Sequence, residues 1–140
     1  MAQAGYSGTP LPKKLGLKAG QRVCFLGLPA TLSYQQDIDG FAAVFSQRSD
    51  TAEKLDYLHV FETSRHALEA IAPTLRGAIN PDGMIWISWP KKASRVPTSI
   101  TEDVLREVLL PTGLVDVKVC AVDDVWSGLK FMVRKELRAG

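Results

Sequence analysis

The chain has 140 residues, of which 46% are hydrophobic and 23% are charged, and its formal net charge at pH 7 is +2. This length fits one domain, and the composition excludes a wholly disordered chain. Because the net charge is small, any attraction to nucleic acid has to come from a local patch of the surface.

The first part of the chain predicts three strands. Residues 1–12 are small and polar, and we expect a flexible segment there, before a single domain over residues 13–140. The run at 23–26 is apolar on both faces, which is typical of a strand in a sheet covered by helices. The other elements predicted here are a helical turn over 13–17, a short helix over 31–37, a second buried strand over 41–45, a polar loop over 47–54 and a third strand over 57–61.

A longer helix and a fourth strand follow. Thr63 or Ser64 can cap the helix by accepting a hydrogen bond from its free backbone N–H groups. Residues 80–83, Asn-Pro-Asp-Gly, predict a turn, and residues 84–89 predict a strand. The apolar residues that recur at helical spacing before the turn are Leu68, Ile71, Ala72, Leu75 and Ile79.

The last predicted helix begins at a capping box and ends by Pro111. In the capping box, Ser99 and Glu102 satisfy each other's free backbone donors. The residues that this helix is expected to bury are Val104, Leu105, Val108 and Leu109.

The tail predicts an antiparallel hairpin. Residues 115–120 and 129–134 alternate between apolar and polar, and residues 123–128 turn the chain between them. The alternation of strands and helices before the hairpin favours an α/β sandwich. We therefore predict a mostly parallel sheet with a C-terminal antiparallel hairpin.

This order of elements resembles that of the Rossmann-like methyltransferases that use S-adenosylmethionine. The hairpin looks like their last two strands, and residues 15–23 resemble their lead-in to the first strand. The resemblance implies a single-domain, Rossmann-like α/β sandwich.

A closer resemblance involves both ends of the chain. Residues 5–11, 13–16, 89–94 and 126–130 look like segments of a bacterial family of small proteins that is carried as a domain of unknown function. This likeness spans the whole chain, but it implies no activity.

The turn after the first strand argues against a cofactor. A methyltransferase needs glycines there, where the cofactor approaches the backbone, and a carboxylate after the second strand to bind the ribose. Here Gly27 is followed by Leu-Pro-Ala, and Phe45 is followed by Ser-Gln, with Asp50 as the nearest carboxylate. We therefore expect no cofactor, S-adenosylmethionine included, and the sequence favours a protein that is not an enzyme. The alternative is an S-adenosylmethionine-dependent methyltransferase with a degenerate cofactor loop.

Neither a metal site nor a catalytic residue is predicted. His59 and His66 are the only histidines, and zinc sites usually need several His or Cys ligands at short spacing. We expect His59 to be packed within its strand and His66 to be exposed on its helix.

The sequence predicts a cytoplasmic protein with reduced thiols. No signal peptide is recognisable before Gly5, and no apolar run approaches the ~20 residues that span a bilayer. Cys24 and Cys120 lie in apolar, strand-like segments. A secreted disulfide scaffold of this length would carry more cysteines, so we expect both to be buried and unpaired.

A candidate site lies where the parallel strands end, because ligands of open parallel sheets bind beyond the carboxyl ends of the strands. Cationic side chains and tryptophan rings there can hold an anionic, ring-bearing ligand. In the alternative interpretation, Trp89 is core, Trp126 covers the hairpin and the lysines form a solvated loop. The predicted ligand-binding residues are Thr31, Arg65, Trp89, Lys91, Lys92, Trp126 and Ser127.

The sequence thus favours a non-catalytic domain that binds a small anionic or nucleotide-like ligand, or a protein partner, at this edge. A nucleic-acid partner is disfavoured. Lys91, Lys92 and Arg95 offer few phosphate contacts, and the helix that follows them is partly acidic.

Overall fold

One six-stranded sheet organises the fold. The computed structural model describes residues 10–47 and 53–138, so most of the expected flexible segment over residues 1–12 lies outside the described residues. The strand order in the sheet is β2-β1-β3-β4-β6-β5. The strands are β1 (Arg22–Leu26), β2 (Ala43–Phe45), β3 (Leu55–Phe61), β4 (Ile79–Pro90), β5 (Leu114–Ala121) and β6 (Trp126–Val133).

The strand directions confirm the predicted fold class. β1 pairs in parallel with β2 and with β3, and β3 pairs in parallel with β4. β6 is antiparallel to both of its neighbours, β4 and β5. The result is a mostly parallel sheet with an antiparallel pair at its C-terminal end.

Two helices cover one face of the sheet, which we call the helical face. They are α2 (Arg65–Ala78) and α3 (Glu102–Leu109), and a one-turn helix, α1 (Leu11–Lys14), lies on the other side. None of the helices in the described ranges is long and apolar enough to cross a bilayer. The largest fully buried residues of the helical-face core are Leu55, Leu58, Leu68, Leu75, Ile79, Ile85, Ile87, Ile100 and Phe131.

The opposite face, which we call the loop face, is covered by α1 and by the connection between β1 and β2. That connection contains a short 3₁₀ turn, Tyr34–Asp37, where the sequence predicted a helix over 31–37. The helical turn predicted over 13–17 likewise begins earlier, at Leu11. The buried residues of this second core are Leu15, Leu17, Val23, Phe25, Tyr34, Tyr57, Phe61, Trp86 and Cys120.

The two longer helices both begin at a hydroxyl N-cap, and one of the two caps was predicted correctly. Ser64 caps α2 as predicted, since its Oγ accepts a hydrogen bond from the backbone N–H of Ala67 at 3.2 Å. The capping box predicted for α3 is wrong, because Thr101 is the N-cap and accepts from Val104 N at 3.2 Å. The Ser99 hydroxyl instead accepts from the backbone N–H of Arg65 at 2.7 Å, which joins the start of α2 to the loop before α3.

Two strand predictions need correction. The second strand, expected to be buried over 41–45, is the three-residue edge strand β2, and the side chain of Val44 is 57% exposed. The predicted turn over 80–83 lies inside β4 instead. Ile79 pairs with Leu55 and Met84 pairs with Tyr57, so four residues of β4 bulge out opposite one residue of β3.

The boundaries of the hairpin also differ from the prediction. Residues 126–128, expected in the turn, already belong to β6, so only residues 122–125 connect the two strands. Cys24 and Cys120 are buried and form no disulfide, as predicted.

Candidate functional site

The carboxyl ends of the parallel strands meet at one edge of the sheet, which we call the carboxyl edge. Pro90, at the end of β4, pairs with Trp126, at the start of β6. The backbone N–H of Lys91 donates to the carbonyl of Val125 at 2.7 Å. The structure therefore brings the basic loop that follows β4 and the start of β6 to the same edge.

The two tryptophans of the predicted site lie on opposite faces of the sheet. Trp89 is 8% exposed and packs in the helical-face core. Trp126 packs on the loop face, where its ring meets Phe61 edge-on at a centroid distance of 5.3 Å. Ser127 pairs with Trp89, and paired residues point to the same face. The two rings are thus not positioned to stack on one ligand together.

The guanidinium of Arg65 forms ion pairs with two carboxylates. Its Nε lies 2.9 Å from the carboxylate of Glu69, one turn further along α2, and its Nη1 lies 3.2 Å from Glu107 of α3. An anionic ligand would therefore have to compete with two carboxylates for this guanidinium. Thr31 is exposed in the connection after β1.

The basic loop at residues 91–97 is ordered by its own hydrogen bonds. The Ser94 hydroxyl donates to the carbonyl of Lys91 at 2.7 Å and accepts from the N–H of Val96 at 3.2 Å. Arg95 has a φ of 64°, a left-handed conformation that is uncommon for residues other than glycine. The loop thus holds Lys92 and Arg95 exposed in a defined conformation.

Gly27 is the point where the turn after β1 touches the end of β3. Its φ is 74°, and a Cβ at this position would lie 2.8 Å from the carbonyl oxygen of Phe61. Glycine is therefore required both by the backbone conformation and by this close approach. Gly27 itself is exposed, so the bare backbone faces outward at the carboxyl edge.

A buried polar cluster, which the sequence analysis missed, lies beneath this edge on the loop face. The Tyr34 hydroxyl lies 2.8 Å from the Tyr57 hydroxyl and 2.6 Å from His59 Nδ1. The other ring nitrogen, His59 Nε2, lies 2.7 Å from the Ser88 hydroxyl. One signal was available in the sequence, because Tyr57 and His59 are two residues apart on a strand and so share a face.

The cluster is neutral at physiological pH. Burial lowers the pKa of His59 to about 3 and raises the pKa of Tyr34 and Tyr57 far above the usual range of a phenol. A serine hydroxyl bonded to a histidine has the geometry of a nucleophile and its base. Both His59 and Ser88 are 0% exposed, however, so a substrate has no access to them. Its hydrogen bonds instead join Tyr34, in the connection after β1, to His59 of β3 and through it to Ser88 of β4.

A row of rings links this cluster to the carboxyl edge. The ring of His59 stacks on Phe61, with centroids 4.1 Å apart and planes 20° apart, and Phe61 meets Trp126. Trp126 is partly buried. A ligand that contacts Trp126 would therefore meet a ring whose position is fixed by its packing against Phe61.

A scan against protein-family models gives no match, and a search of curated proteins gives none either. The closer resemblance to a small bacterial family is therefore not confirmed. Solved structures do match the fold. The chain is 15% identical to the magnesium protoporphyrin IX methyltransferase from Synechocystis PCC 6803 with bound SAM, with a TM-score of 0.60, over 89% of this chain and 74% of that chain.

Two further solved structures have the same TM-score. A SAM-dependent methyltransferase from Aquifex aeolicus has a TM-score of 0.60 at 15% identity, and the match covers 86% of each chain. The ribosomal protein L11 methylase from Lactobacillus delbrueckii subsp. bulgaricus has a TM-score of 0.60 at 12% identity, over 88% of this chain and 74% of that chain. This chain therefore has a Rossmann-like fold of the methyltransferase type.

The expectation that S-adenosylmethionine is excluded is contradicted by this comparison, since a chain of the same fold holds the cofactor. The expectation rested on the glycines that are missing after β1 and on the carboxylate that is missing after β2. Identities of 12–15% mean that these chains build the same sheet with few residues in common. A missing motif therefore does not exclude the cofactor, and Gly27 still supplies one bare position at the carboxyl edge.

Proposed function

We propose that this chain is an S-adenosylmethionine-dependent methyltransferase with a divergent cofactor loop. The observation that carries the proposal is the fold match to methyltransferases, one of them with bound SAM, over 86% or more of this chain. Fold alone does not determine activity. The proposal therefore depends on the carboxyl edge and on a direct binding experiment.

The residues at this edge fit the cofactor in part. Gly27 leaves the backbone uncovered after β1, where a cofactor of this class approaches the chain. After β2 the chain offers the hydroxyl of Ser46 and the amide of Gln47, with no carboxylate at either described position. Neutral hydrogen bonds are weaker than those of a carboxylate, so we expect a dissociation constant of roughly 10–500 µM.

We propose that the methyl acceptor is an anionic, ring-bearing molecule. Lys91 and Lys92 lie on the ordered loop beside Trp126, whose partly exposed ring is a flat apolar wall. The lysines would attract the charge, and the ring would pack against the flat part of the molecule. Thr31, which is exposed after β1, would add a hydroxyl group at the same edge, whereas Ser127 points to the helical face with Trp89 and takes no part. Trp89 and Arg65 take no part in this version of the site, because both already have protein partners.

The second candidate is a domain that binds the same class of ligand, or a protein partner, without catalysis. The observation that favours it is the turn after Gly27, where Leu28, Pro29 and Ala30 replace glycines. These side chains restrict how closely a cofactor can approach the backbone. A binding domain needs only Trp126 and the lysines of the basic loop.

Titration calorimetry with S-adenosylmethionine and S-adenosylhomocysteine separates the two candidates. Ala30 is exposed directly after the Gly27 turn, so Ala30→Trp should block cofactor binding. Ala70→Trp, on the exposed side of α2, is the matched control and should bind like the wild type. The methyltransferase proposal is refuted if the wild type gives no binding heat up to about 1 mM of either compound.

Adenosine monophosphate tests the anionic site, because it has both a ring and a charge. The double variant Lys91→Ala, Lys92→Ala should weaken its binding about tenfold and leave the fold intact, since Lys91 is only half-buried, Lys92 is exposed, and surface substitutions usually cost under about 0.5 kcal/mol. Lys135→Ala is the control on an exposed residue. The wild-type affinity should fall with added salt. Equal affinity of the double variant and the wild type would exclude the lysines from the site.

A further inference from the structure

The structure has a groove at the edge of the sheet opposite the carboxyl edge. Lys18 precedes β1, Ile38 precedes β2 and Met84 lies near the start of the paired part of β4. All three line a cavity of about 430 Å³, within the range of roughly 300–1,000 Å³ that is usual for small-molecule sites. Because β1, β2 and β4 run in parallel, their beginnings share one edge. The groove is therefore separate from the site considered above.

The lining of the groove is mostly apolar. Pro12, Leu17, Ile38 and Met84 contribute carbon and sulfur surface, and the first two are buried side chains of the loop-face covering. An apolar lining favours a ligand with an apolar body, since burying apolar surface gains about 25 cal/mol per Å².

One wall of the groove is held rigid by a buried glutamine. The Gln21 Oε1 accepts from the backbone N–H of Lys18 at 2.8 Å, and its Nε2 donates to the carbonyl of Gly16 at 3.0 Å. Gly16 has a φ of 78°, and a Cβ there would lie 2.9 Å from the sulfur of Met84. The Trp86 indole N–H also donates to the carbonyl of Leu15 at 2.8 Å. The cavity is thus preformed, which lowers the entropy cost of binding.

The charged groups around the groove favour an anion. Among the described residues that line it, Lys13 and Lys18 are exposed, and Asp37 supplies the one carboxylate. We propose that this groove binds a small carboxylate with an apolar body, whose charge lies between the two lysines and whose hydrocarbon part packs against Met84 and Ile38. This ligand site is independent of the proposed methyltransferase activity.

Methyl NMR with octanoate as the probe tests the proposal. The Met84 methyl signal should shift and saturate, with a dissociation constant below about 1 mM. Acetate has no apolar body and octanol has no charge, so each should bind at least about tenfold more weakly. A titration with S-adenosylmethionine should leave this signal unchanged, which keeps the result apart from the test at the carboxyl edge.

Charge variants of exposed residues complete the test. Lys13→Glu with Lys18→Glu should weaken octanoate binding at least about tenfold, and Asp37→Asn should strengthen it about two- to fivefold. Lys135→Glu, an exposed residue outside the groove lining, is the control and should have no effect. The proposal is overturned if no saturable shift occurs up to about 5 mM octanoate, or if octanol binds as well as octanoate. A Met84 shift that follows protein concentration instead would mean that a second copy of the chain occupies the groove.

Discussion

Lowering the pH from about 7.5 to about 5 should destabilise this protein through one buried side chain, His59. The pKa of His59 falls from 6.5, its ordinary value, to about 3 in the folded chain, because the side chain is fully buried. Between these two values the unfolded chain binds the proton and the folded chain does not. The free energy of unfolding therefore decreases as the pH falls through this window, and the contribution of neutral His59 is complete only above pH 6.5.

The size of this loss of stability follows from the difference between the two pKa values of His59 and the pH that is chosen. Each pH unit below 6.5 costs about 1.4 kcal/mol, so the loss at pH 5 is about 2 kcal/mol. The groups packed against the imidazole, Tyr34, Tyr57 and Ser88, are neutral at both pH values, so none of them offsets the cost with a negative charge.

Urea unfolding monitored by tryptophan fluorescence measures this loss in the wild type and in two variants. His59→Gln removes the titrating group while it keeps a donor and an acceptor. We expect it to be less stable at pH 7.5 by about 1–3 kcal/mol, yet to lose about 2 kcal/mol less than the wild type on going to pH 5. His66→Gln, on an exposed residue, should keep the wild-type loss. Equal losses for His59→Gln and the wild type would refute the reasoning.

Three further outcomes test the packing. Tyr34→Phe should lower the free energy of unfolding by about 1–3 kcal/mol in urea titrations, because Tyr57 and His59 lose their short hydrogen bonds to its hydroxyl and keep the longer contact of 3.3 Å with each other. Gly27→Ala should cost more than Gly20→Ala, since both have a positive φ but only the first Cβ would meet a backbone oxygen, at 2.8 Å; equal losses would contradict this. Cys24 and Cys120 should resist thiol reagents in the native state, and both should react after unfolding.

Most of the strands and the long helix could be predicted because their patterns are local. In α2, Leu68, Ala72 and Leu75 recur at helical spacing and are all buried. The apolar runs of β3 and β4 identified central strands for the same reason. The short strand at Val44 has a similar composition, but its exposure depends on having no neighbour beyond it in the sheet, which only the topology decides.

The features that could not be predicted depend on contacts between distant residues. Ser99 has the spacing from Glu102 that is typical of a capping box. Its hydroxyl nevertheless accepts a hydrogen bond from the backbone N–H of Arg65, which lies 34 residues away in the sequence. The polar cluster needs Ser88 to pair with a histidine 29 residues earlier. The predicted strand directions placed the candidate site at the carboxyl edge. The face of the sheet to which Trp89 and Trp126 each point could not be predicted, because it depends on the register between β4 and β6.

The position of β6 has a consequence for how the chain reaches its fold during synthesis. β6 follows β5 in the sequence but lies between β4 and β5, so β5 has no partner in the sheet until β6 is made. While β6 is still inside the ribosome, the outer edge of β4, with Ile85 and Ile87, remains unpaired. Such an edge can recruit a strand of another nascent chain. β6 has to leave the ribosome before it can cover this edge of β4, and a pause in translation before that point would prolong the exposure.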